Sequence, residues 1–188
     1  LSALAIPRVH TGFLGSYNAM REQINRVLRN ELRENPGEVC VTGHSLGGAL
    51  ATLCVIDIAV HTLPRVRGYF RRKEAAERTN QGIAGAVSAA MYTFGQPRVG
   101  DAVFSSVFDN MCPESFRVVV DGDVIASVPK NAGGYRHAGT SVIVDSREVG
   151  NIIVDPSFVE RFFRTKKVYL GVSVHSLVNY EECLLAVK

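Results

Sequence analysis

The sequence predicts an α/β fold, a mostly parallel sheet flanked by helices on both faces. Three observations predict it. Short apolar runs bounded by turn residues alternate along the chain with longer segments of helical periodicity. Residues 39–41 and 46–58 are apolar almost all round, as strands and helices packed inside a domain are. The chain of 188 residues has no internal repeat or low-complexity stretch and suits one domain with a real core.

The elements follow in order. From Ser16, the residues Tyr17, Met20, Ile24, Val27, Leu28 and Leu32 recur at helical spacing, and Asn35-Pro36-Gly37 stops that helix. Val39-Cys40-Val41 reads as a buried strand and residues 46–58 as a buried helix, with His61 as its C-terminal cap. A strand is expected over 86–94. A helix follows, N-capped by Asp101, with Val103, Phe104, Val107 and Phe108 on one face. Another strand is expected over 116–120. Residues 141–144 and 151–154 flank 146–150 as a hairpin. Asp155-Pro156 has the form of a helix start, with Phe158, Val159, Phe162 and Phe163 behind it. The run 168–174 leads to His175, and residues 176–185 look helical.

Residues 65–78 break the rhythm, with Arg65, Arg67, Arg71, Arg72, Lys73 and Arg78 around Tyr69 and Phe70. Residues 64–82 read as a basic, solvated and mobile connection between a helix and a strand. Their composition also suits peripheral contact with an anionic membrane.

Composition excludes several classes. The 46% hydrophobic and 21% charged content is that of a globular protein, and no stretch approaches the roughly 18 consecutive apolar residues of a bilayer span. A net charge of +3, without a binding motif, gives no reason to expect nucleic acid. Cys40, Cys54, Cys112 and Cys183 lack short paired spacings, and the carboxylates lack calcium-loop spacing, so no metal is expected. The chain starts at Leu1 without methionine, and residues 1–6 are too short for a signal peptide, so compartment is unread. Oligomeric state is unread too.

Gly43-His44-Ser45-Leu46-Gly47 has the form G-x-S-x-G between a buried strand and an apolar helix, the strand–turn–helix setting that makes the motif informative. Such a turn strains the serine backbone and needs small neighbours, so Gly43 and Gly47 are expected to let strand and helix approach. Ser45 then projects its hydroxyl as a nucleophile. The Leu46 N–H, at the helix N-terminus, can donate to a developing oxyanion.

These residues carry a resemblance. Gly43-His44-Ser45-Leu46-Gly47-Gly48-Ala49 resembles the nucleophile elbow of the class 3 lipases, a fungal and plant group within the α/β-hydrolase fold. His10-Thr11-Gly12-Phe13 resembles the family's H-x-G-F, here ahead of the first helix. The run from Thr93 through Phe94-Gly95-Gln96-Pro97-Arg98-Val99-Gly100 to Asp101 is similar to its T-F-G-x-P-R-V-G. Tyr135-Arg136-His137-Ala138-Gly139 resembles its Y-x-H-x-G. The resemblance covers residues 9–180 in the family's order.

A serine needs a base. His44 adjoins Ser45 and points away at such a turn, and the resemblance assigns His10 and His137 to scaffolding. His175, between an apolar run and the last helix, can reach over Ser45 and matches the family's catalytic histidine. The acid is expected just past the strand over 116–120, where Asp121 and Asp123 both stand. Similarity of residues 123–129 to the family's D-x-V-P-x-L-P implies Asp123, although Ala126 replaces a proline there. Asp145 and Asp155 read as hairpin and cap residues.

The resemblance implies hydrolysis of acylglycerol-type esters in lipid metabolism by Ser45, Asp123 and His175, without cofactor, on a lipid or other acyl-ester substrate. It also implies that the domain is truncated at its N-terminal end. Only nine residues precede His10, whereas the family has a strand, a lid helix and a second oxyanion donor upstream. Losing one such donor typically costs about 10²–10³ in turnover. The alternative is a catalytically inactive, lipase-like interaction or regulatory protein, since fold alone does not imply activity.

Overall fold

The structure is a computed structural model that describes residues 6–79, 81–130, 133–145, 151–157 and 172–187. The first helix, α1 (Thr11–Glu34), begins five residues before the apolar spacing shows itself. His10 enters it in extended conformation, and its ring packs on Phe13 with centroids 4.4 Å apart. Thr11 and Gly12 add nothing to the periodicity, so the H-x-G-F segment forms the first turn rather than preceding it. Strand β1 (Glu38–His44) leads through Ser45 into α2 (Leu46–Asp57).

Here the structure departs from expectation. A π-helical turn (Ile58–Thr62) carries α2 without a break into α3 (Leu63–Glu77). The 65–78 segment is therefore a packed helix up to Glu77, not a solvated connection. Leu63, Val66 and Phe70, buried at helical spacing, pack with Leu32, Ile58 and Val87. The surrounding arginines hid this stripe. One of them is structural, since Arg67 donates from Nε and Nη2 to the Val87 carbonyl at 2.9 and 2.7 Å. His61 caps nothing; it lies within the π turn with Nε2 3.5 Å from Asp57 Oδ1. The continuous run Leu46–Glu77 spans 32 residues and is long and apolar enough to cross a membrane, by length and composition alone. Its apolar character has another use here, because α2 packs on β1, β2 and α1.

After a one-turn helix α4 (Ile83–Ala86) comes β2 (Ser88–Phe94), two residues shorter at its start than expected. Strand β3 (Gly100–Asp101) leads into α5 (Ala102–Met111), whose first turn is capped by Asp101 Oδ1 accepting the Phe104 N–H at 2.8 Å. Then follow β4 (Ser115–Val120), β5 (Tyr135–Arg136), β6 (Thr140–Val144) and β7 (Ile152–Val154). The last described helix is α6 (Leu177–Leu185), capped by Ser176. The helix start expected behind Asp155-Pro156 and the 146–150 turn lie outside the described residues.

The main sheet has the order β1-β2-β4-β6-β7, parallel except for the β6–β7 hairpin. Phe94 sits opposite Val118 in register, so both point to one face, where they pack with Tyr180 of α6. Met91, three residues earlier in the strand, points to the other face and packs with α2 and α5. The sheet is thus covered on both sides. Among the described residues β1 pairs on one side only, and its open side and α1 border an apolar groove of about 660 Å³ lined by Met20, Ile24, Val27, Val39, Val41 and Cys54.

Candidate active site

Parallel strands end on the same side of a sheet, and the turns after β1, β2 and β4 bring Ser45, Gly95 and Asp123 together there. The elbow after β1 holds Ser45 at φ 55°, ψ −124°, a conformation that L-residues adopt only under constraint. The constraint is visible. Ser45 N–H donates to the Phe94 carbonyl at 2.9 Å, and the Ser45 carbonyl accepts from the N–H groups of Gly48 and Ala49 at 3.0 and 3.3 Å. A Cβ on Gly43 would stand 2.3 Å from the Gly47 carbonyl oxygen, so β1 and α2 cross on bare backbone. The expected role of Gly47 needs correction. A Cβ there meets nothing within 4 Å, whereas one on Gly48 would press on Gln96 Cβ at 3.1 Å. The tight pair is Gly43 and Gly48.

The Ser45 hydroxyl does not cap α2. It lies 2.7 Å from His175 Nε2, and His175 Nδ1 lies 2.8 Å from Asp123 Oδ2. A carboxylate only accepts, so Nδ1 carries the proton and Nε2 presents its lone pair to the Ser45 hydroxyl. Asp123, with a side chain buried to 0% exposure, is fully occupied. Its Oδ1 accepts the N–H groups of Ile125 and Ala126 at 2.9 and 3.3 Å, and its Oδ2 also accepts the Tyr180 hydroxyl at 2.6 Å. Asp121 sits two residues away in the turn, its N–H donating to the Val144 carbonyl. The carboxylate facing His175 is that of Asp123.

The Leu46 N–H, in the first turn of α2, has no acceptor among the described residues, and the positive end of the helix dipole lies beside Ser45. Two participants escaped the sequence reading. Gly95, at φ +59°, lies under the imidazole, where a Cβ would stand 2.9 Å from His175 Cε1 and 3.0 Å from Asp123 Oδ2. A glycine directly after a strand was the available signal. Tyr180 had no signal, since an aromatic residue in the last helix reads as core. An imidazole bound to both a hydroxyl and a buried carboxylate is arranged to take the hydroxyl proton.

Comparison with known proteins bears on this arrangement. The family model described as Lipase (class 3) matches residues 2–132. The chain belongs to the class 3 lipases. Among its relatives, a lipase from Rhizomucor miehei is 33% identical over 174 residues, which is 92% of this chain and 43% of that protein. The chloroplastic phospholipase A(1) DAD1 of Arabidopsis thaliana is 29% identical, over 82% of this chain and 30% of its own length. The solved structure in which a serine protease triad forms the catalytic centre of a triacylglycerol lipase matches with a TM-score of 0.66. It is 26% identical and aligns with 93% of this chain and 60% of its own. The chain thus spans less than half the length of these curated relatives, and its α/β-hydrolase sheet is that of the lipase structures.

Proposed function

We propose that this chain hydrolyses carboxylic esters of the acylglycerol type through an acyl-enzyme on Ser45, with His175 as base and Asp123 as its orienting acid. The observation carrying this reading is the unbroken path from Ser45 Oγ through the imidazole to a buried carboxylate. Ser45 Oγ attacks the ester carbonyl carbon while its proton passes to His175 Nε2. The resulting oxyanion is stabilised by the Leu46 N–H and the α2 dipole. Collapse breaks the bond to the alcohol, which leaves with the proton from Nε2. Water, deprotonated by the same nitrogen, then releases the fatty acid and restores Ser45.

The relatives, a lipase and a phospholipase by name, support a lipid substrate. Peripheral membrane contact, on this reading, falls to the exposed apolar side chains Leu46, directly after Ser45, and Leu177 and Val178, two and three residues after His175. The basic residues of α3 stand in the far half of the helical run that starts at Leu46. Vesicle co-sedimentation that survives charge removal in α3 and is lost when Leu177 and Val178 become serine supports that assignment; the reverse pattern overturns it.

The test of the activity is reaction with a fluorophosphonate probe and location of the adduct by mass spectrometry. Labelling at Ser45 that disappears in His175→Ala supports the reading. A folded protein with no labelling and no ester hydrolysis overturns it in favour of a lipase-like interaction protein.

A further inference from the structure

His175 ends a short 3₁₀ turn (Val172–His175). The Ser173 carbonyl accepts from Ser176 N–H and the Val174 carbonyl from Asn179 Nδ2, both within the same C-terminal segment. Among the described residues one backbone bond ties this turn to the rest of the molecule. The His175 carbonyl lies 2.8 Å from Nε2 of His44. A carbonyl only accepts, so His44 Nε2–H donates.

His44 is well placed to act as an anchor. It is the last residue of β1, opposite Phe94 in register, so strand pairing fixes its backbone. Its ring lies edge-on to Tyr180 at 5.8 Å and beside the His175 ring at 4.7 Å. It also precedes Ser45 directly. The connections close a circuit: Ser45 backbone, His44 side chain, His175 backbone, His175 ring and back to Ser45 Oγ at 2.7 Å. Strand β1 thus holds both the hydroxyl and the mount of the imidazole that faces it.

We infer that His44 is a positioning residue for the base. Through the His175 carbonyl it sets the distance between Ser45 Oγ and His175 Nε2, and it does so without proton transfer of its own. The inference rests on the reading of His175 as base. It requires a donor at the reach of Nε2, which glutamine supplies, asparagine is one methylene too short to supply, and phenylalanine lacks while keeping ring packing.

The experiment compares wild type with His44→Phe, His44→Gln and His44→Asn. It reads kcat and KM on a soluble short-chain aryl ester, and the downfield proton NMR signal of His175 Nδ1–H. A displacement of about 1 Å costs up to roughly 10²-fold in rate. The expected result is kcat reduced roughly 10- to 100-fold in His44→Phe and His44→Asn with KM within about twofold, recovered in His44→Gln. The Nδ1–H signal should broaden by solvent exchange in the first two and stay sharp in His44→Gln. Should His44→Phe fail to fold, the contrast between glutamine and asparagine decides. Wild-type kcat and an unchanged signal in His44→Asn overturn the inference. If wild type itself neither turns over ester nor labels at Ser45, the catalytic reading fails, and the NMR comparison alone still supports or overturns the anchoring role.

Discussion

The hydroxyl of Tyr180 lies 2.6 Å from Oδ2 of Asp123, the same oxygen that receives the His175 Nδ1–H. Burial, reinforced by hydrogen bonding to Asp123 and by its charge, pushes the Tyr180 hydroxyl far above the usual phenol range, so it remains a donor. Tyr180→Phe removes a hydrogen bond to a charge, worth about 1.5–3 kcal/mol. The urea midpoint should fall with an unchanged denaturant slope. Ile125, Ala126 and His175 still donate to Asp123, so kcat should fall far less than when the acid itself is changed.

Changing the acid separates shape from charge. Asp123→Asn keeps the side-chain outline but gives the imidazole no carboxylate, and the wrong tautomer then faces Ser45. In a serine protease triad this change costs about 10⁴ in kcat. A loss on the order of 10³–10⁴ in ester turnover is expected, with Ser45→Ala in the Asn background costing roughly a further 10²-fold, far less than it costs alone. A double-mutant comparison on one soluble ester measures it.

Asp57 should govern acid stability. Burial raises its pKa, but hydrogen bonds from Arg21, Asn25 and Tyr17 outweigh burial and hold it below the usual carboxylate range. A depressed folded-state pKa means a stabilisation present above the unfolded value, near 3.9, and lost as pH falls through the folded value. Denaturant midpoints of wild type should therefore fall below about pH 4, and Asp57→Asn should flatten that limb while lowering stability at neutral pH.

The elbow glycines should behave unequally. Gly43→Ala drives a methyl onto the Gly47 carbonyl and should cost at least about 1–3 kcal/mol. Gly47→Ala meets open space and lies in the first turn of α2, so its stability should stay level or rise by up to about 1 kcal/mol. Thermal melts of both variants read this directly.

Phe70→Ala, in the helix that reads from sequence as a solvated connection, should cost about 3–5 kcal/mol, since the ring is 3% exposed. Arg71→Ala beside it, exposed, should stay within about 0.5 kcal/mol. Equal tolerance at both positions would show that α3 does not pack.

Local patterns carried much of the fold. The strand positions, the Asp101 cap and the antiparallel pairing of 140–144 with 152–154 are short-range features that the sequence marks. The strand expected to be buried at 39–41 is instead an edge strand among the described residues, half-buried at Val39 and Val41 and exposed at Cys40. The run through 58–77 was not legible, because a π turn shifts the apolar stripe and arginines outnumber the three buried side chains of α3. At the site, Ser45 is marked by its own neighbours and His175 by its place before the last helix. Asp123 needed the family pattern, since Asp121-Gly122-Asp123 offers two carboxylates with the same local environment in sequence. Tyr180 and the His44 bond depend on which distant segments meet, and no local pattern encodes that; Gly95 offered only its place directly after a strand.

The partners Ser45 and His175 stand 130 residues apart in the chain. Translation at about 5–20 residues per second delivers the imidazole on the order of 10 s after the serine. During that interval the elbow, β2 and α2 can assemble around an ordinary alcohol. Under the proposed mechanism Ser45 stays unactivated until the segment that carries His175 docks, so the order of synthesis would itself delay hydrolysis.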